Sequence, residues 1–117
     1  MQPKKILSNL DFKKEIQSKK QTYYIYEGNK NYVLMTVNRR RNSCNFNIVS
    51  KEAIEYVKKY FKRRRKISVS DILKESKKPT HIKERFDALN ILYALCATGD
   101  AKIDTRFKGN QLFFNIK

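Results

Sequence analysis

The chain has little of the residues that bend, cross-link or catalyse: two prolines, three glycines, two cysteines, one histidine and no tryptophan among 117 residues. Cys44 and Cys96, with one histidine, fall short of the four Cys or His ligands of a structural zinc site. Two buried thiols in a reducing compartment are expected instead, because a lone disulfide would imply secretion that nothing else supports. His81 follows Lys78, Pro79 and Thr80 at a helix start and reads as a surface or phosphate-facing residue rather than a general base. No Gly-rich phosphate loop and no cluster of carboxylates accompanies it, so neither an enzyme nor a cofactor or small-molecule substrate is expected. Long apolar runs are lacking too. Nothing approaches the roughly 18 to 20 residues that span a bilayer, and the Lys-rich start has no apolar stretch of the signal-peptide kind. The expectation is an intracellular protein, placed in the nucleus of a eukaryote or otherwise in the cytoplasm or nucleoid.

Negative charge is the other scarcity. Twenty-seven Lys and Arg face eleven Asp and Glu, a formal charge of +16. A compact chain tolerates that self-repulsion best beside a polyanion, and nucleic acid is the first candidate. With 40% hydrophobic residues, the length suits one domain with a modest core.

Residues 1–21 are basic, with Leu7, Leu10, Phe12 and Ile16 as apolar anchors, and predict a flexible N-terminus with a short helix at residues 11–19. From Thr22 the period becomes two: residues 23–26, a turn at 27–30, then residues 32–37, with apolar side chains on both faces. In a third run Cys44, Phe46 and Ile48 alternate with Asn45, Asn47 and Val49, so the apolar set is expected to meet a core. This predicts a three-stranded antiparallel element over residues 22–49. Its second connection carries Arg39, Arg40 and Arg41, which read either as a phosphate grip or as a solvated loop.

Residues 50–117 carry helical spacing first. Ser50 is placed to cap a helix running to Lys66 that buries Ala53, Ile54, Val57, Tyr60 and Phe61. Its predicted last turn is Lys62, Arg63, Arg64, Arg65 and Lys66, where the helix dipole favours one or two cations but does not account for five. Residues 67–69 suit a short strand, Ser70 is placed to cap a second helix, and Asp71 suits its first turn. Ile72 and Leu73 are expected to point inward. Lys77, Lys78, Pro79 and Thr80 form a turn, since proline biases the preceding residue away from helical geometry. A third helix over residues 81–98 carries Ile82, Phe86, Leu89, Leu92, Tyr93 and Cys96 at spacings of three and four, and Gly99 stops it. Residues 102–104 and 111–116 then form a hairpin with its tip at 106–110, and Leu112, Phe114 and Ile116 are expected to close the core.

That order is that of a winged helix-turn-helix, which places one helix in a DNA major groove and a hairpin against the flanking backbone. The expected fold is therefore α+β: a winged helix preceded by a small three-stranded β element, in one domain over residues 22–117. Lys62, Arg63, Arg64, Arg65, Lys66, Lys77, Lys78, Lys83 and Arg85 are the expected DNA contacts, joined by Arg106 and Lys108 from the wing. Arg39, Arg40 and Arg41 are a second contact candidate, and no metal ligand is expected.

Residues 82–92, Ile-Lys-Glu-Arg-Phe-Asp-Ala-Leu-Asn-Ile-Leu, resemble the recognition helix of the dimerisation-partner (DP) cell-cycle transcription factors. In that family two arginines precede Tyr-Asp and Ala-Leu-Asn-Val-Leu. The resemblance covers about forty residues and implies duplex DNA binding. Lys83 and Glu84 stand where the family reads guanine with arginines, and a glutamate only accepts hydrogen bonds, for instance from cytosine N4. In size and fold the chain also resembles, more distantly, the small DP-like accessory DNA-binding subunit of the ciliate adenine-N6 DNA methyltransferase complex. That resemblance implies catalytic residues and methyl donor on partner chains.

Three functions follow. The first is a non-catalytic duplex-binding accessory subunit of a DNA-modifying or transcription complex, with protein partners. The second is a stand-alone transcription regulator, which predicts a dimer on two half-sites although no heptad follows the wing. The third is an RNA-binding or ribosome-associated protein, against which the aromatic residues lack the spacing of RNP motifs.

Overall fold

The computed structural model describes residues 10–18, 21–107, 109 and 111–117. Among the described residues the architecture is α+β, with a four-stranded antiparallel sheet, a two-stranded sheet and three helices. The chain divides into two compact units, Met1–Lys51 and Glu52–Lys117.

The first unit is a meander of β1 (Asp11–Gln17), β2 (Gln21–Glu27), β3 (Asn31–Asn38) and β4 (Ser43–Ser50), paired in chain order. The sheet thus has four strands rather than three. Residues 11–17, expected as part of a short helix, form an edge strand instead, with a bulge between Phe12 and Lys14. Only Ile16 of this strand is buried, so β1 has almost no alternation of its own and owes its conformation to pairing with β2. The β2–β3 connection closes with Gly28 N–H donating to Asn31 O at 2.8 Å. A Cβ on Gly28 would lie 2.9 Å from Leu10 Cδ2 and 3.2 Å from Asn31 O, which explains glycine there. At the β3–β4 turn, Asn38 Oδ1 accepts from the backbone N–H groups of Arg40 and Arg41 at 3.0 and 3.1 Å, and Asn42 takes φ of 52°. Asparagine tolerates that left-handed conformation better than most residues.

The register sorts the sheet's faces. Tyr23 pairs with Thr36, Ile25 with Leu34 and Tyr32 with Val49, and all six are buried. Cys44, Phe46 and Ile48 pair with Val37, Met35 and Val33 and lie on the opposite, open face. This reverses the expectation for β4: Phe46 is 57% and Ile48 70% exposed, while Val49 is the residue that β4 buries. Alternation within one strand does not say which face is covered; pairing of Val49 with Tyr32 decides it. Cys44 is consequently exposed, and only Cys96 is a buried thiol.

The second unit begins with α1 (Lys51–Tyr60), whose first residue belongs to the sheet unit. Ala53, Ile54, Val57 and Phe61 are buried, but Tyr60 is exposed and stacks on Tyr56 with ring centroids 5.4 Å apart. The helix ends at Tyr60, six residues before the predicted end. Residues 61–63 form a turn, and Arg63 and Lys66 adopt φ of 66° and 51°. Ile67 bridges Phe114, each N–H donating to the other's carbonyl at 2.9 and 2.8 Å. α2 (Val69–Glu75) is capped by Ser68 rather than Ser70, and the cap is a reciprocal box. Asp71 N–H donates to Ser68 Oγ at 3.1 Å, and Ser68 N–H donates to Asp71 Oδ2 at 2.9 Å. Ile72 is buried and Leu73 half-buried.

α3 (Arg85–Thr98) starts four residues later than predicted, because residues 79–81 are still a turn. Asp87 Oδ2 accepts from the N–H groups of Lys83 and Glu84 at 2.9 and 3.2 Å, which satisfies donors at the helix start. From Ala88 to Cys96 every residue except Leu89 is buried. Gly99, at φ of 82°, ends the helix as its sequence position predicts. β5 (Ala101–Ile103) pairs antiparallel with β6 (Phe114–Ile116). Phe114 and Ile116 are buried, and Phe114 meets Tyr93 edge to face at 6.0 Å. Leu112 does not close the core, since it lies before β6 and is 36% exposed.

Candidate nucleic-acid interface

The cations expected to act together occupy three segments of the second unit, and the structure gives them different work. Lys62, Arg63, Arg64, Arg65 and Lys66 follow α1 instead of completing it, so their charges are not terminal charges on a helix dipole. This segment is held to β6: Arg63 N–H donates to Lys117 O, Ile116 N–H to Arg64 O, and Lys66 N–H to Asn115 Oδ1. The Arg64 guanidinium clasps Glu75 at the end of α2 with bonds of 2.8 and 3.0 Å. That clasp holds the Glu75 carboxyl below the ordinary carboxylate range and raises Arg64. Lys66 Nζ sits 4.4 Å from the Phe107 ring centroid and 5.3 Å from that of Phe113. Lys62, Arg63 and Arg65 are exposed and form no ion pair among the described residues.

The turn between α2 and α3 is the second segment. Lys77 and Lys78 are exposed, and the backbone of Lys77 is pinned by donation to Tyr56 Oη at 2.7 Å. Tyr56 also lies 6.0 Å from the His81 ring, so the lone histidine is half-buried against an aromatic side chain. Beyond it Lys83, Glu84, Arg85 and Phe86 are all exposed. Lys83 precedes α3, and Arg85 is its first residue. The Arg85 side chain donates from Nη1 to Ser70 Oγ on α2, so it braces the two helices as well as carrying charge. Of the residues that resemble the DP helix, Ala88, Asn90, Ile91 and Leu92 are buried. The part of that segment from Ala88 onward is therefore mostly packing, whereas Lys83 and Glu84 just before the helix and Arg85 and Phe86 at its start are exposed.

The third segment is the hairpin. Arg106 is committed to its own strand end: Nε reaches Asp104 Oδ1 at 2.9 Å and Nη2 reaches Oδ2 at 2.7 Å. Asp104 is buried and also accepts from Arg106 N–H and Asn115 Nδ2. The Arg106 guanidinium is the main reason that the Asp104 carboxyl lies well below its ordinary range, with the Arg106 N–H and Asn115 adding to it; Arg106 is raised in turn. Lys108 lies outside the described residues.

Arg39, Arg40 and Arg41 belong to the first unit. Arg39 folds onto the sheet end, with Nη1 to Thr22 Oγ1 at 3.0 Å and Nη2 to Ser18 O at 2.7 Å. Arg40 and Arg41 are exposed at the turn.

Sequence reasoning missed an apolar groove. Val69 and Ser70 of α2, Arg85, Phe86 and Leu89 of α3, and Gln111 and Leu112 of the hairpin line it. Phe86, one of the apolar residues of α3 at spacings of three and four, is 45% exposed there. The signal available was the crowding of α3, which has more apolar residues than one buried stripe can take. Among the described residues no group of three or more His, Cys, Asp and Glu is placed to hold a metal ion, and no helix is long and apolar enough to cross a membrane.

No family model, curated protein or solved structure matches the chain.

Proposed function

We propose that residues 52–117 are a winged helix-turn-helix that binds duplex DNA without catalysis, and that the protein serves as the DNA-binding accessory subunit of a DNA-modifying or transcription complex. The observation that carries this reading is the exposed start of α3: Lys83 just before the helix and Arg85 and Phe86 in its first turn follow the exposed Lys77 and Lys78 of the α2–α3 turn, while the rest of the helix is mostly buried. A helix whose N-terminal turn is exposed while its middle is buried is suited to reading a groove with that turn. The order helix, bridging residue, helix, turn, helix and hairpin, with Ile67 paired to Phe114, supports the winged-helix assignment.

Lys62, Arg63, Arg65, Lys77 and Lys78 are the phosphate contacts in this reading, because their side chains are exposed and have no ion pair to give up among the described residues. Arg64 and Arg106 are relegated to holding the unit together, and Lys66 to a cation–aromatic contact. Role as an accessory subunit rather than a free-standing regulator draws on the groove at Phe86 and Leu112, an apolar surface beside the basic turn that suits a protein neighbour. The test is fluorescence anisotropy with a labelled random duplex and an RNA hairpin as competitor. Lys83→Ala should weaken duplex binding by about 1 to 3 kcal/mol, with hairpin RNA displacing the duplex poorly. Unchanged affinity in that variant would remove α3 as the reader.

A further inference from the structure

The open face of the sheet carries a second ligand chemistry. Phe12, Tyr24, Tyr26 and Phe46 all project from it, as the register shows: Phe12 pairs with Tyr26, Tyr24 with Met35, and Met35 with Phe46. Phe12 is 55% exposed and meets Tyr26 edge to face at 5.4 Å. Phe46 is 57% exposed, and Tyr24 and Tyr26 are half-exposed. Tyr24 and Tyr26 are two residues apart on a central strand, so their rings are spaced by about 7 Å along it, and Tyr24 and Phe46 flank Met35 at about 9 to 10 Å across the sheet. Thr22, which follows the same face along β2, leads to the turn that bears Arg40 and Arg41.

Charge selects among the occupants of such a face. The sheet unit has eleven Lys and Arg against three Asp and Glu, and Glu15, opposite Tyr24, is the one acidic side chain on the open face among the described residues. A second copy of this chain would bring another +16 against it, so self-association is opposed. A polyanion with flat apolar groups satisfies both the rings and the cations. Duplex bases have both faces already stacked, whereas unpaired bases can stack on aromatic side chains.

We propose that the open face of the four-stranded sheet binds single-stranded nucleic acid, with unpaired bases stacked on Tyr24, Tyr26 and Phe46 and phosphates running to Arg40 and Arg41. The site is built from residues of the first unit alone, and this proposal does not rest on the duplex contacts proposed for residues 52–117. Arg39 takes no phosphate, since its guanidinium is engaged by Thr22 and Ser18.

The experiment is anisotropy of a short labelled oligo(dT) titrated with the full chain. The variants Tyr24→Leu and Phe46→Leu keep apolar bulk but lose the ring, and circular dichroism checks their folding. Each is expected to weaken binding roughly 5- to 100-fold, in line with the stacking contribution of one base, while Lys59→Ala, an exposed cation on α1, changes it by less than about twofold. Failure of the folded chain to bind oligo(dT), or binding by both leucine variants as tight as that of the wild-type chain, overturns the proposal. A doubled sedimentation mass that Phe46→Asp abolishes also overturns it, and assigns the face to a protein contact.

Discussion

Residue by residue, the basic side chains fall into those that hold the fold and those left to meet a ligand, a division that residue type does not carry. Arg64 and Arg106 look the same in sequence as Arg63 and Arg65, yet each of the first two is locked to a carboxylate from another part of its unit or hairpin. The Asp104 pair yields a pH prediction. Its folded carboxyl lies below the unfolded value of about 3.9, so the stabilisation is present above that value and is lost as pH falls toward the folded one. Asp104→Asn should therefore lower the melting temperature at pH 7, and the gap to the wild-type chain should narrow as melts are taken down from pH 4 to pH 2. A gap constant across that range would mean that Asp104 acts by packing alone. Lys83 and Arg85 also differ in what they can test. Arg85→Ala removes the bond to Ser70 along with a charge, so its effect on DNA binding mixes two causes, whereas Lys83→Ala removes only an exposed side chain.

Among the elements, those whose own sequence contains their reason were legible and those made by pairing were not. α3 and its stop at Gly99 follow from apolar spacing and from glycine's tolerance of positive φ. Strand β1 did not announce itself, because six of its seven residues are exposed and only Ile16 is buried; β2 supplies the template. The end of α1 was overrun because a run of five cations has no apolar period to mark a boundary. The cap of α2 was displaced by two residues, and the physical reason is the partner: Asp71 stands three residues after Ser68, the spacing of a reciprocal box, and only one after Ser70. Ser68→Ala should cost about 1 kcal/mol in denaturant unfolding, against little change for Ser70→Ala apart from the lost Arg85 bond. In the core, Phe114→Ala removes a fully buried ring set against Tyr93, and a loss of about 3 to 5 kcal/mol is expected by the same measurement. The open sheet face was half legible: aromatic and β-branched residues on both sides of β2 and β3 were visible, but which side stays uncovered depends on the register with β4.

At the scale of the whole molecule, the excess of positive charge is shared between the units, with sixteen Lys and Arg against eight Asp and Glu in residues 52–117. Among the described residues few of these cations are paired with a carboxylate, which leaves charge available to a polyanion, and the proposed binding would then depend on counterion release. The most direct measurement of the central claim is the affinity of the full chain for a random duplex across a salt series, for wild type and Lys83→Ala. The duplex-binding account predicts a log–log slope of about −0.9 per phosphate contact, hence about −4 to −5 if Lys62, Arg63, Arg65, Lys77 and Lys78 all engage, and a Lys83→Ala variant that binds more weakly at every salt concentration. A flat salt dependence, or superimposable curves for the two proteins, would contradict it.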